Sequence, residues 1–225
     1  MEINGSVALV TGANRGLGRH FAQELLNRGA TTVYATARDP RTVDLPGVRV
    51  LQLDITSPQS VAAAAGVAED VTLLVNNAGV ATNTNLVDGP LDAVRLEMET
   101  HYFGTLHVIR AFAPVLAANG GGAILNVLSL LSWANYDGAN SYSAAKAAQW
   151  SLTNGVRLEL AEQGTHVTGI HLGAADTDMM AGWDVPKLDP AFVVAAALDG
   201  VASGRTEVLV DDASRAAKAA LTATL

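Results

Sequence analysis

The chain of 225 residues is 49% hydrophobic and 16% charged, which suits one large folded domain and argues against disorder. Its 14 Lys and Arg against 22 Asp and Glu give a net charge of −8, so nucleic acid and anionic membrane surfaces are disfavoured as partners. No cysteine means no disulfide framework, thiolate metal site or cysteine nucleophile, and His20, His101, His107, His166 and His171 show no ligand spacing, so no metal is expected.

Short β-rich runs predict strands over residues 6–11, 31–37, 49–54, 73–76, 123–128, 166–172 and 207–210. Between them, Ala- and Leu-rich patterns predict helices over 18–28, 57–68, 91–118, 143–162, 190–203 and 213–221. Alternation of this kind predicts an α/β fold, a doubly wound seven-stranded parallel sheet with helices on both faces, with residues 1–225 as a single domain. Residues 179–190 form the one long irregular stretch late in the chain and read as a lid. No apolar run approaches the roughly 20 residues of a membrane span, and the start lacks a basic-then-apolar leader, so a cytoplasmic protein is expected.

The first strand runs into Thr11-Gly12-Ala13-Asn14-Arg15-Gly16-Leu17-Gly18. Glycines there permit a tight turn and close approach of backbone to a pyrophosphate seated on the N–H groups of the following helix. The spacing is G-x-x-x-G-x-G rather than the common G-x-G-x-x-G, and an ordinary strand-to-helix turn is the competing reading. The second strand ends Thr36-Ala37-Arg38, with the acid displaced to Asp39. An Asp or Glu at the strand end would mark NAD, whereas Arg38, with Arg15 from the glycine turn, suits the 2′-phosphate of NADP(H).

Tyr142 and Lys146 stand one turn apart at the head of a predicted helix, and Ser129 follows the strand 123–128. An ammonium beside a phenol favours phenolate, which predicts a Tyr142 pKa lowered toward neutrality and an acid-base site of Ser, Tyr and Lys. Alone, Y-x-x-x-K is also the pattern of a half-buried Tyr beside a snorkelling Lys.

Taken together, these motifs resemble the short-chain dehydrogenase/reductase family. The resemblance rests on Gly12, Gly16 and Gly18, on Asn76-Asn77-Ala78-Gly79, on Ser129, Tyr142 and Lys146, on Asp54-Ile55, and on Gly173 to Thr177. It implies a Rossmann-type fold in which NADP(H) meets Gly12, Asn14, Arg15, Gly16, Leu17, Gly18, Arg38, Asp54, Ile55, Asn77, Ala78, Gly79, Tyr142, Lys146, Gly173 and Thr177. It also implies a carbonyl reductase or alcohol dehydrogenase in which Tyr142 is the general acid/base, Ser129 binds the substrate oxygen and Lys146 holds the nicotinamide ribose. The substrate is then a small-molecule ketone or aldehyde and the chain a homodimer or homotetramer, paired through the helices of Tyr142 and His101. Trp133, Tyr136, Met179, Met180 and Trp183 suggest a bulky or aromatic carbonyl compound.

Two positions depart from the family pattern. His101 replaces an Asn associated with a helix kink and a water-linked proton relay; an imidazole donates, accepts and titrates near neutrality, so His101 stands as a candidate for that relay. Leu172 replaces a Pro before Gly173. The change at His101 also motivates a rival reading, a catalytically weak NADP(H)-binding regulatory protein of the same fold.

Overall fold

The computed structural model describes residues 1–223. Strands β1 (Val7–Val10), β2 (Thr32–Ala37), β3 (Arg49–Gln52), β4 (Leu73–Asn76), β5 (Gly122–Val127), β6 (Thr165–His171) and β7 (Glu207–Leu209) pair in parallel in the order β3-β2-β1-β4-β5-β6-β7. The chain starts mid-sheet, steps outward to β3, then crosses back to β4 and runs to the other edge. The reversal between β1 and β4 opens a crevice at the carboxyl ends of the strands, where ligands of doubly wound sheets bind.

Consecutive side chains of β1 enter opposite cores, Ala8 and Val10 one and Leu9 the other, which is why its apolar run is continuous. Helices α1 (Gly16–Asn27) and α6 (Pro190–Ala202) cover the first face with Phe21, Leu25, Val193 and Leu198. Helices α2 (Pro58–Val67), α4 (Thr105–Ala118) and α5 (Asn140–Glu159) cover the second with Val61, Phe112, Leu116 and Val156. The doubly wound, seven-stranded Rossmann-type architecture is therefore as expected. No helix among the described residues is long and apolar enough to cross a membrane.

The predicted helix 91–118 is corrected. It divides into α3 (Leu91–Met98), a π-helical turn (Glu99–Gly104) and α4. The wide turn carries His101 and Thr100 into the interior, and apolar periodicity alone cannot register one extra residue per turn. The stretch read as a lid is partly ordered, with a 3₁₀ turn at Asp178–Met180 and a parallel bridge between Ala175 and Leu188. His166 and His171 both lie within β6, as the predicted strand 166–172 implies.

A buried hydrogen-bond chain fixes α5 to the sheet. Asn76 Nδ2 donates to Asn126 Oδ1 (2.8 Å), Asn126 Nδ2 to Thr153 Oγ1 (2.9 Å), and Thr153 Oγ1 to the Gln149 carbonyl (2.8 Å). Thr153→Val keeps the shape but leaves the Asn126 amide without its acceptor. It should cost about 1–3 kcal/mol in urea unfolding, with Thr153→Ser close to wild type; equal stability of Val and Ser variants would show that the chain contributes nothing.

Candidate active site

The glycine turn is built by contact rather than by flexibility alone. Gly12 (φ +65°) lies under Ala78, where a Cβ would come within 3.0 Å of the Ala78 Cα. A Cβ on Gly18 would collide with the Gly12 carbonyl oxygen and sit 2.5 Å from Asn77 Nδ2. Thr11 Oγ1 accepts from the backbone N–H of Asn77 (2.9 Å) and Ala78 (3.0 Å), and Asn77 Nδ2 donates to the carbonyls of Thr11 (3.0 Å) and Gly12 (3.2 Å). The β1 turn and the β4 end are thus one piece. Arg15, the residue before α1, makes no side-chain cap, so the first N–H groups of the helix face the crevice mouth uncapped by side chains. A cradle this close-fitting, ending on a helix N-terminus, fits a pyrophosphate. Thr177, expected from sequence, lies against Gly16, whose Cβ would be 3.4 Å from Thr177 Cγ2.

At the end of β2, Arg38 is exposed and its guanidinium has no hydrogen-bond or ion-pair partner among the described residues. Asp39 is engaged bidentately by Arg41 (2.9 and 2.8 Å), which holds its carboxyl below the usual range. Arg15 pairs with Asp178 at 3.6 Å, both largely exposed. Asp54 Oδ1 accepts from the Thr56 N–H (3.0 Å) and hydroxyl (2.7 Å), and Ile55 packs on Gly104. Gly173 donates its N–H to Asp211 Oδ2 (2.6 Å), which fixes the turn after β6.

Ser129 follows β5 and caps a 3₁₀ turn (Leu130–Ser132), its Oγ accepting from the Leu131 N–H at 3.1 Å, which leaves its own proton to donate toward Tyr142. Lys146 is buried at 4% exposure. Its Nζ donates to the Val127 carbonyl (2.8 Å) and Gln149 Oε1 (2.9 Å) and stands 5.5 Å from the Tyr142 ring centre. Burial lowers its pKa to about 7. The expected lowering at Tyr142 is corrected: burial first and the Glu97 carboxylate second push its pKa up, partly offset by hydrogen bonding with Ser129. The ammonium is committed to two fixed acceptors, so desolvation decides the sign.

The family model for short chain dehydrogenase matches residues 6–186, most of the chain. The chain belongs to the short-chain dehydrogenase family. A short chain dehydrogenase from Burkholderia cenocepacia, crystallised in complex with NADP, is 41% identical, with a TM-score of 0.95 over 99% of this chain and 95% of that one. A short chain dehydrogenase/reductase from Burkholderia phymatum in complex with NAD shares the fold at 23% identity, with a TM-score of 0.87 over 96% and 92%. An uncharacterized oxidoreductase of Staphylococcus saprophyticus is 29% identical over 214 residues, 88% of this chain and 92% of the relative.

Within this short-chain dehydrogenase, His101 is fully enclosed and edge-on to Tyr142, with ring centres 5.1 Å apart. Its Nε2 lies 2.7 Å from the Val80 carbonyl, which can only accept, so Nε2 carries the proton and Nδ1 is a buried atom without a partner. Burial, then the Lys146 ammonium, push its pKa well down. The ring stays neutral, and the near-neutral titration expected from sequence is absent. Gly79 makes room for it, since a Cβ there would meet His101 Cε1 at 2.7 Å.

Several residues around the site carried no signal in the sequence. Gln149, three residues after Lys146, links that ammonium to Thr105 Oγ1 on α4 (3.0 Å). Glu97, fully buried in α3, accepts from the Thr82 N–H (2.7 Å) and hydroxyl (2.9 Å) and pins the loop after β4. Tyr136 and Trp183 meet edge-on at 5.6 Å and join the loop before α5 to the lid. Trp133 turns inward instead and stacks on His171.

With its folded pKa near 7 and an unfolded value near 10.5, Lys146 leaves the native state holding fewer protons than the unfolded chain between those pH values. Stability relative to Lys146→Met should therefore rise with pH across that window, by up to about 1.4 kcal/mol per pH unit. Urea unfolding of both proteins at neutral and alkaline pH checks this; a difference independent of pH would mean the ammonium is not perturbed.

Proposed function

We propose that the chain is an NADP(H)-dependent carbonyl reductase that interconverts a bulky or aromatic ketone or aldehyde and its alcohol, within one domain spanning residues 1–225. The observation that supports this reading is the protonated Tyr142 phenol, kept neutral by burial and by Glu97, hydrogen-bonded to the Ser129 hydroxyl. Reduction of a carbonyl needs a proton donor at the oxygen, and a phenol with a raised pKa arrives loaded. Ser129 would donate a hydrogen bond to the same oxygen, stabilising the charge that develops there. A reduced nicotinamide supplies the hydride.

Gly12, Asn14, Gly16, Leu17 and Gly18 would hold the pyrophosphate, Arg38 and Arg15 the 2′-phosphate, and Asp54, Ile55 and Ala78 the adenosine half. Asn77, Gly79, Lys146, Gly173 and Thr177 would support the nicotinamide half. The preference for NADP(H) is supported by the unpaired Arg38, by Arg41 neutralising Asp39, and by the NADP complex of the 41% identical relative. Lys146, near its titration point at neutrality, can return a proton to Tyr142 between turnovers. Tyr136, Met179, Met180 and Trp183 would provide an apolar wall for the substrate. Exposed Leu96, Phe103 and Leu158 on α3, the π turn and α5 support assembly of two or four copies through these helices.

Benzaldehyde and benzil assayed with NADPH and NADH in parallel, by loss of reduced-nicotinamide absorbance, test the reading. Turnover with NADPH supports an enzyme; tight NADPH binding without turnover of any carbonyl compound favours the regulatory alternative. Tyr142→Phe should lower turnover roughly 10²–10⁴-fold while NADPH still binds, and full activity in that variant would refute the assignment. Arg38→Ala should weaken NADPH roughly ten- to hundredfold and leave NADH little changed; equal effects on both coenzymes would place Arg38 away from the 2′-phosphate.

A further inference from the structure

His171 sits at 0% exposure in the last position of β6, next to the apolar Ile170 and Leu172. A hydrophobic residue would fill that space without the desolvation cost of an imidazole. The ring is instead set with care. Its Nδ1 lies 3.0 Å from the Ser129 carbonyl, which can only accept, so Nδ1 carries the proton. Its face stacks on Trp133 at 3.8 Å and 17°. Its Nε2 faces Glu207 Oε1 at 3.5 Å, with no hydrogen bond between them. Glu207 pairs with Lys218 of α7 (Asp212–Ala223), and the Lys218 ammonium also lies 5.5 Å over the Trp133 ring. Desolvation holds the imidazole neutral, with its pKa lowered to about 4; the charged groups around it are Glu207, Lys218 and, farther off, Lys146.

What the imidazole supplies and a hydrocarbon cannot is one donor at one carbonyl. Ser129 is the elbow where β5 ends and the 3₁₀ turn begins, and its neighbours are already fixed to β6, Leu128 N–H to the Ile170 carbonyl (2.8 Å) and Leu130 N–H to the Leu172 carbonyl (2.9 Å). The Ser129 carbonyl also accepts from the Ser132 N–H at 3.0 Å, so two donors hold it. We propose that His171 is a positioning residue for Ser129: the Nδ1–H bond to the Ser129 carbonyl locks the peptide plane that aims the Ser129 hydroxyl at the substrate oxygen. Through Trp133, Glu207 and Lys218, α7 closes this support from behind.

This inference rests on the reading of Ser129 as the hydroxyl that binds the substrate oxygen, and the test separates the two. His171→Asn retains a donor near the Nδ1 position, His171→Gln moves it to the Nε2 position, and His171→Phe keeps the stack on Trp133 without a donor. Each is assayed with NADPH and benzil beside Ser129→Ala and the Ser129→Ala/His171→Phe double variant, with thermal unfolding and NADPH titration on the same samples. Gln and Phe should lose roughly ten- to hundredfold in kcat with NADPH affinity unchanged, and Asn should recover most of that loss. In the Ser129→Ala background, His171→Phe should cost nothing further, because it acts only through the absent hydroxyl. Where Phe does not fold, Gln against Asn carries the comparison. Equal turnover of Gln and Asn variants, wild-type turnover in Phe or Gln, or a further loss in the double variant would overturn the proposal and leave the role of Ser129 intact. Full turnover in Ser129→Ala would overturn both.

Discussion

The Lys146 ammonium is shut away from solvent, and a charge there is tolerated only where fixed acceptors replace its water. The Val127 carbonyl and Gln149 Oε1 are those acceptors. Because Val127 is the last residue of β5, the first bond ties α5 to the strand that leads into Ser129. Because Gln149 donates onward to Thr105, the second ties α5 to α4 just after the π turn. Tyr142 stands one turn before Lys146, so its place relative to Ser129 and His101 follows from the same two bonds. Asn126 and Thr153 repeat the tie deeper in the sheet. The candidate reacting groups are thus held by a polar lattice inside an otherwise apolar layer.

The coenzyme side obeys a different constraint, steric rather than electrostatic. Gly12 and Gly18 bring β1, α1 and the β4 end so close that no side chain fits between them. The net charge of −8 would repel a dinucleotide phosphate at long range. Locally the balance differs, because two acids beside the glycine turn and the end of β2 are already paired, Asp39 with Arg41 and Asp178 with Arg15. Arg38 is left with its charge uncompensated, which makes the mouth favourable for an anion despite the acidic surface elsewhere.

Much of this was legible in the sequence because it depends on local pattern. Strand runs such as Leu73–Asn76, the glycines of the first turn and the i, i+4 relation of Tyr142 to Lys146 each have a signature within a few residues. What was not legible depends on contacts made across the fold. Gln149 looks like an ordinary polar residue on an amphipathic helix until β5 and α4 are placed beside it. Glu97 reads as surface charge, yet its burial is set by Thr82 from a loop far behind it in sequence. The π turn hides because Leu91 to Ala118 keeps a helical apolar pattern on both sides of it. The sign of the Tyr142 shift failed for the same reason: proximity of Lys146 was read from spacing, whereas desolvation is a property of the packed interior.

His101, a candidate for a proton relay from the sequence, is poorly placed for one. A neutral imidazole carries one proton, and here it is held on Nε2 by the Val80 carbonyl. The remaining nitrogen is bare, so the ring can accept but has no second proton to pass on without breaking that bond. Its depressed pKa closes the other route, through a transient imidazolium, because enclosure and the Lys146 ammonium both oppose a second charge. In the proposed reaction the phenol must nevertheless be recharged after each transfer. Lys146 is the neighbouring group whose pKa lies near neutrality, and its four-carbon stem reaches Val127 and Gln149 at the base of the site. Under that proposal, proton return to Tyr142 would run by way of the ammonium, with His101 as the ring against which the phenol is packed edge-on.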